Sequence, residues 1–484
     1  MANNISTDQP LFRWFEQLQQ SDPTGTAWLT PDDHLSYRTL YRQTEHLAAC
    51  CTKAGLKPGQ PLAAVCRSRQ QLGRAALLAM YLGCPLLPLK PQRESFLPLL
   101  ESCRINQIVT DEAADYVGYR CFPIHAGKAT HAHPTCPPQP LNGDQTQLLI
   151  ATSGSSGSAH VTRHSGDGLC ASVLASQSYT ALNQRDVWLN CLPMHHIGGF
   201  AILLRCLHAG AAMLIEESFD AAHILDDLQR FTVTHLSLVP AMLAGLLAAQ
   251  GNTPLPDSLR CVLVGGGPLS PALAHKALAQ GWPLTVSWGM SETASHATLC
   301  RVDSNWTSGM AGKPVSGCRL EIVDQRGQTV TGRGYIRIHG PMLMQGYCHR
   351  DSAIDNGIKE GYFTSSDTGY LDAEGNLHLC GRADYQLNSG GYTIDPEAIE
   401  AQLHQCAGIG QVAVTGIEDT TWGDRLLLLF TGPATTQGVT QWCQDHLDSR
   451  ARPRQVIKTA HLPCTGSGKL DRPALAHLAA QLTA

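Results

Sequence analysis

Thr152-Ser153-Gly154-Ser155-Ser156-Gly157-Ser158-Ala159-His160 places five hydroxyls and two glycines directly behind the apolar run Gln147-Leu148-Leu149-Ile150-Ala151. Glycines let a backbone approach an anion closely, and N–H and O–H donors can then converge on phosphate oxygens. Small polar residues after a strand also make an ordinary loop, so this stretch gains meaning only from others. Trp288-Gly289-Met290-Ser291-Glu292-Thr293 follows another apolar run and offers a ring for base stacking, a hydroxyl for phosphate and a carboxylate for magnesium. Gly265-Gly266-Gly267 follows Cys261-Val262-Leu263-Val264, where bare backbone permits close approach to a flat ligand. Ser366-Asp367 and Gly381-Arg382-Ala383-Asp384 add carboxylates and a cation, and Gly466-Ser467-Gly468-Lys469-Leu470 ends the set with a lysine in a glycine loop.

Several familiar patterns fail on inspection. A Walker A loop needs glycine where Pro463 stands and Ser or Thr where Leu470 stands. A nucleophile elbow needs glycine at Thr293, and no GxGxxG follows a strand. An HHxxxD acyltransfer motif beginning at His195-His196 meets Phe200 instead of a carboxylate. His125, His131 and His133 near Cys121 and Cys136 lack metal-ligand spacing.

The elements that must hold these residues follow from periodicity. Pro61–Cys66, Cys84–Leu89, Asp186–Pro193, His235–Pro240, Cys261–Val264 and Pro283–Ser287 are short apolar runs separated by helical stretches, the pattern of a parallel α/β sheet. One of those helices, read as Phe200–Ala212, carries a single charge, Arg205, among apolar neighbours; it could snorkel to the surface or receive a substrate carboxylate. Beyond about residue 312 the strands are short and turn-linked, which predicts a small barrel or distorted sheet. The last hundred residues read as a separate α+β module, with a helix from Pro396 and strands at Gln411–Thr415 and Leu426–Phe430.

The chain has 484 residues, enough for two or three domains, with 43% hydrophobic and 15% charged residues. A net charge of −5 gives no basic field for nucleic acid or anionic membrane. No apolar run is long enough to span a bilayer, and Met1–Pro10 lacks the apolar stretch of a secretory signal. The 18 cysteines include no CxxC pair and no repeated spacing, as expected of buried thiols in a reducing cytoplasm.

In order and spacing, Thr152–Gly157, Trp288–Thr293, Ser366-Asp367, Gly381–Asp384 and Gly466–Leu470 resemble the adenylate-forming enzymes: acyl-CoA synthetases, adenylation domains and luciferases. The resemblance runs from about residue 11 to residue 475. Leu192–Gly199, Gly289–Ser295 and Thr415–Gly423 are similar to o-succinylbenzoate–CoA ligases of menaquinone biosynthesis. The resemblance implies an α/β fold: a large N-terminal domain, 1–382, of parallel βα sheets plus a small distorted barrel, and a mobile α+β C-terminal domain, 383–484. It implies ATP, Mg2+ and CoA as cofactors and an aryl acid as substrate, with no nucleic acid or membrane partner. The oligomeric state stays open.

The resemblance also implies roles. Lys469 contacts substrate carboxylate and α-phosphate, Glu292 holds magnesium, and Ser291 (usually Thr in relatives) contacts the α-phosphate. Thr152, Ser153, Gly154, Ser155, Ser156, Gly157 and His160 cradle the phosphates. Gly265, Gly266, Gly267, Trp288 and Gly289 bracket adenine, while Asp367, with Arg382 beside it, accepts from the ribose. His196 gates the path between acyl pocket and thiol, Arg205 holds a second substrate carboxylate, and Ser295 lies beside the acyl group. Asp384 is the hinge, and Ser389-Gly390-Gly391 meets the pantetheine. One departure stands out: relatives usually carry lysine where His160 stands. A neutral imidazole brings one donor and no fixed charge, which implies weaker ATP binding or a more acidic optimum unless Arg163 substitutes. The alternatives are activation of another aryl or acyl acid, loading a carrier protein in place of CoA, and a nucleotide-binding scaffold without activity.

Overall fold

The computed structural model describes residues 10–30, 33–91, 93–112, 116–124, 136–152, 160–348, 357–419, 422–465 and 470–483. Among these residues the strands form three sheets. The first has seven strands, in the order Gly346–Tyr347, His160–Ser165, Thr146–Thr152, Leu86–Leu89, Leu62–Val65, Gln107–Thr110, Arg120–Pro123. From Thr146–Thr152 to the Arg120–Pro123 edge the neighbours run parallel. Thr146–Thr152 and His160–Ser165 are antiparallel.

The second sheet has fourteen strands. Its parallel half runs through Leu284–Met290, Cys261–Val264, His235–Leu238, Val187–Asn190, Ala212–Ile215 and Thr26–Leu29. Ser295–Arg301 then pairs antiparallel with Leu284–Met290, and Met310–Pro314 pairs with Ser295–Arg301. Through them the antiparallel strands Leu377–Arg382, Tyr362–Leu371, Gly334–His339 and Arg319–Val323 continue the same ladder. The β-rich region expected beyond residue 312 is thus a distorted extension of the main sheet. The third sheet is built wholly from residues after 386, with Gly423–Phe430 between Val412–Asp419 and Gln455–Lys458.

Helices Gly166–Thr180 and Ile197–Ala209 share one apolar core with Tyr37–Lys53 and Arg69–Leu82, including Trp28, Tyr81, Leu169, Trp188, Phe200 and Leu203. Ile197–Ala209 is apolar on nearly every side and is buried accordingly. The sequence reading ran this helix on to Ala212. The chain instead stops at Ala209, because Gly210 adopts a left-handed cap at φ 70°, and Ala212–Ile215 follows as a strand. At the other end of the neighbouring helix, the Ser165 hydroxyl accepts from the Gly168 N–H.

The core also encloses histidines. His164 is buried, its Nε2 3.0 Å from the Thr162 hydroxyl, and burial pushes its pKa down to about 4. His235 and His296 are likewise held below the usual imidazole value by burial. A folded-state value below the unfolded one means the unfolded chain binds more protons between about pH 4 and pH 6.5. Stability is therefore full above pH 6.5 and is lost as pH falls through that window. His164 alone accounts for about 2 kcal/mol between pH 7.5 and pH 5. Urea unfolding of the wild type and His164→Gln at both pH values checks this: the variant loses less stability on acidification, and equal losses would refute the assignment.

Candidate active site

The chemistry-bearing residues gather beyond the carboxyl ends of the parallel strands, where open α/β sheets bind ligands. Gly265, Gly266 and Gly267 leave the strand Cys261–Val264. A Cβ at Gly265 would overlap the Ser287 hydroxyl, and Gly266 has φ +77°, so both positions demand glycine. The adjacent strand Leu284–Met290 delivers Trp288 and Gly289 and turns into the short 3-10 segment Ser291–Thr293. Gly289 is needed because a Cβ there would overlap the Ser295 carbonyl oxygen across a bulge.

Trp288 is 6% exposed, and its Nε1–H donates to Asp367 Oδ2 at 2.7 Å. The indole packs in an apolar core with Ile336, Ile338 and Phe363 and fixes the carboxylate. Asp367 faces Arg382 across the antiparallel pair, with Arg382 Nε 3.8 Å from Asp367 Oδ1. Arg382 Nη2 reaches Asp384 Oδ2 at 2.7 Å. The Arg382 and Arg472 guanidiniums lie 5.1 and 5.3 Å from the Tyr385 ring, tying the proposed hinge to the last helix. Arg472 also pairs with Glu400, and Arg333 reaches Asp395 at 3.6 Å.

The Tyr347 hydroxyl donates to Glu292 Oε1 at 2.7 Å. Burial first, and the Glu292 charge next, hold the Tyr347 phenol well above its ordinary pKa. His160 stands against Tyr347 at a ring separation of 5.4 Å. Ser153–Ala159 lie outside the described residues, so Ser153, Gly154, Ser155, Ser156 and Gly157 are not placed. The loop's two ends are: Thr152 and His160 face each other across the antiparallel pair, and the Thr152 hydroxyl donates to the His160 carbonyl at 3.3 Å. The glycine-hydroxyl loop thus leaves and returns beside Tyr347 and Glu292. Gly466–Lys469 also lie outside the described residues. Their flanks are pinned by a bridge between Cys464 and Leu470 and by the Asp471 N–H to Pro463 carbonyl bond at 2.9 Å.

Arg163, the alternative cation for the phosphate loop, lies on the face of its strand opposite His160. Strand side chains alternate faces, so His160, Thr162 and His164 share the Tyr347 side while Val161 and Arg163 face the opposite one. There Arg163 Nη2 donates to the Gln345 carbonyl at 3.4 Å.

Arg205 does not snorkel. It is 3% exposed, with Nε donating to the Ser176 hydroxyl at 3.2 Å and Nη2 to the Ser295 hydroxyl at 3.0 Å. Its guanidinium lies 5.6 Å from the Trp188 ring centroid. Burial lowers its pKa to about 10, so it stays cationic at neutral pH. Among the described residues no carboxylate forms an ion pair with it. Ser295 is held at φ +120°, and its carbonyl accepts from the Thr293 hydroxyl at 3.0 Å. Beside this cluster His296 Nε2 is buried without a hydrogen-bond partner among the described residues.

His195 and His196 sit at the start of Ile197–Ala209 with rings 4.4 Å apart. Burial, with the His196, Lys90 and Arg69 charges, lowers the His195 pKa to about 3. Ser389-Gly390-Gly391 forms the tight turn between Leu387–Ser389 and Tyr392–Ile394, with φ +58° and +80° at the glycines. Sequence reasoning missed Tyr347, His164 and Ser176. His164 was detectable as the same-face partner of His160; nothing local marked Tyr347 or Ser176.

Among the described residues no cluster of three or more His, Cys, Asp or Glu side chains could cage a metal. A magnesium ion bound through phosphates needs only one or two carboxylates, and Glu292 fits that need with one oxygen engaged by Tyr347.

Residues 15–348 match the AMP-binding enzyme family, and residues 398–469 match the AMP-binding enzyme C-terminal domain. A 2-succinylbenzoate–CoA ligase of Bacillus velezensis is 30% identical over 483 residues, covering 98% of each chain. The o-succinylbenzoate CoA synthetase of Bacillus subtilis, solved with its acyl-adenylate intermediate, superposes with a TM-score of 0.87 at 26% identity, over 96% of this chain and 97% of that one. ATP-bound MatB of Rhodopseudomonas palustris shares the fold, with a TM-score of 0.90 at 23% identity, over 99% of this chain and 100% of that one. The chain belongs to the AMP-binding enzyme family.

Proposed function

We propose that the protein is an AMP-forming acid–CoA ligase that converts o-succinylbenzoate, ATP and CoA into o-succinylbenzoyl-CoA, AMP and pyrophosphate. The observation that carries this reading is Arg205, a buried cation with serine and indole contacts and no ion-pair partner among the described residues. A dicarboxylate substrate supplies the missing anion with one carboxylate while the other reacts. The 2-succinylbenzoate–CoA ligase relatives support the same acid. The free thiols support placing the enzyme in the reducing cytoplasm. Among the described residues no helix is long and apolar enough to cross a membrane.

A free carboxylate resists thiol attack because its oxide is a poor leaving group. In the first step a carboxylate oxygen attacks the α-phosphorus of ATP and pyrophosphate departs. In the second, the CoA thiolate attacks the acyl carbon and AMP departs. Charge develops on phosphoryl oxygens in the first step, so preorganised donors and cations lower its barrier. Lys469 supplies the cation, Ser291 a donor, and Thr152–Gly157 the phosphate cradle. Glu292, held by Tyr347, would hold a magnesium ion, which would neutralise charge on the phosphates. Asp367, fixed by Trp288 and Arg382, accepts from the ribose. Gly265–Gly267 and Gly289 admit the adenine, and His196 separates acyl pocket from thiol path.

The reading divides the chain into a body, 1–382, and a lid, 383–484, hinged at Asp384. Rotation there alternately presents Lys469 and the Ser389-Gly390-Gly391 turn. The contacts that cross the division, Arg333 with Asp395 and Arg382 with Asp384 and Tyr385, must exchange partners as it turns.

Incubation with o-succinylbenzoate, ATP and CoA is expected to release pyrophosphate and give the thioester by mass; absence of both would overturn the reading. Arg205→Met, which removes the buried charge at similar bulk, is expected to raise the KM for o-succinylbenzoate about 100-fold. It should leave a mono-acid lacking the second carboxylate nearly unaffected, and equal losses on both acids would contradict the assignment. His160→Lys is expected to lower the KM for ATP, since it restores a fixed cation beside the phosphates. An unchanged or raised KM would show that His160 is not the loop's phosphate contact.

A further inference from the structure

Two buried polar side chains meet at the Ser295 hydroxyl. It accepts from Arg205 Nη2 at 3.0 Å and lies 3.5 Å from His296 Nδ1. Neighbouring residues of a strand ordinarily point to opposite faces. The register slip opposite Trp288 and Gly289, with φ +120° at Ser295, breaks that alternation and brings the hydroxyl and the imidazole together. His296 is 8% exposed, and its Nε2 has no hydrogen-bond partner among the described residues. A polar atom sealed from water in a native core calls for a partner, because it has given up the hydrogen bond that water supplied. Ser295 already accepts from Arg205, so what it offers His296 is its own hydroxyl proton. Nδ1 accepts that proton, and Nε2 keeps the proton of the ring. Burial first, and the Arg205 charge next, hold His296 well below the usual imidazole value. The ring is therefore neutral at pH 7, and its Nε2–H is an uncharged donor beside a fixed cation.

We propose that His296 is a specificity-determining residue, whose Nε2–H receives the keto oxygen of the acid whose carboxylate Arg205 receives. The assignment rests on the o-succinylbenzoate reading of the site. In that acid the keto carbon and one carboxylate are attached to adjacent ring carbons, so a carboxylate seated on Arg205 carries the keto oxygen beside it. The donors are matched in kind and in spacing. Arg205, which spends its Nε–H on Ser176 and one Nη2–H on Ser295, keeps the rest of its charged fork for the carboxylate. His296, one serine hydroxyl away, offers a single neutral N–H to a neutral acceptor. A second cation in its place would repel Arg205. Recognition of this kind discriminates sharply. An analogue with a methylene group in place of the carbonyl leaves the buried N–H unpaired, whereas an apolar pocket would accept both acids almost equally.

The experiment measures acid-dependent pyrophosphate release by the full-length protein with o-succinylbenzoate and with its deoxy analogue, in which a methylene group replaces the keto carbonyl. The unmodified protein is expected to favour the keto acid about tenfold in kcat/KM, mostly through KM, as one buried hydrogen bond to a neutral group commands. This comparison needs no variant, so it stands even where a substitution fails to fold. His296→Leu removes the donor and should lose more on the keto acid than on the methylene acid, so that the preference disappears. His296→Gln, which keeps a side-chain N–H, should retain part of it. An unmodified protein that treats the two acids alike would overturn the assignment, as would a His296→Leu variant that loses equally on both. Turnover of the acids in either of those cases leaves the o-succinylbenzoate reading standing. Turnover of neither acid would overturn that reading and the role of His296 with it.

Discussion

A guanidinium enclosed by protein without an opposing acid costs several kcal/mol in lost hydration, and the structure tolerates that cost at Arg205. Two serine hydroxyls and the Trp188 ring offset part of it. Much of the surrounding architecture exists to hold those groups. Ser176 comes from one buried helix, Arg205 from the next, and Ser295 from a residue forced to positive φ by the turn that also carries Glu292. The Ser172 hydroxyl donates to the Ala294 carbonyl at 2.7 Å, fastening that turn to the helix. On the function proposed above, Ser295 beside Arg205 and Glu292 with its magnesium role lie in one short segment, Ser291–Ser295.

The nucleotide side is organised by alternation along the strand His160–Ser165. One face meets Tyr347 and, through it, Glu292; the other carries Arg163 and packs Val161 into the apolar cluster that holds Phe96 and Leu100. The tail module contributes differently. Its sheet packs around its own core, including Leu403, Val414, Leu428 and Phe430, and its contacts with the body near the hinge include the Arg333–Asp395 pair and Arg382 over the Tyr385 ring. Such contacts exchange partners at lower cost than apolar packing, which suits the rotation proposed at Asp384.

The sequence reveals the parallel strands because most are short, largely apolar runs buried on both faces, as in Cys261–Val264 and His235–Leu238. It reveals Glu292 and Asp367 because motif spacing survives within single turns. It hides what depends on three dimensions. The sequence leaves Arg205 open between a surface cation and a receiver of a carboxylate, and the neighbouring helix and strand that enclose it are not visible along the chain. Tyr347 is invisible because its partner is 55 residues away. The end of Ile197–Ala209 was misread since Gly210 alone, against a continuing apolar pattern, marks the stop. Whether Arg163 shares a face with His160 depends on their lying in a strand, where residues three apart point to opposite sides.

The central claim is that the body of the protein stores an unbalanced positive charge for one carboxylate of a dicarboxylate. Calorimetric titration of the unmodified protein, in the presence of AMP, with o-succinylbenzoate and with the mono-acid lacking the non-reacting carboxylate measures this directly. The account requires the dicarboxylate to bind about 100-fold more tightly. Equal affinities would mean that Arg205 is a structural cation, and that the acid is chosen by other means.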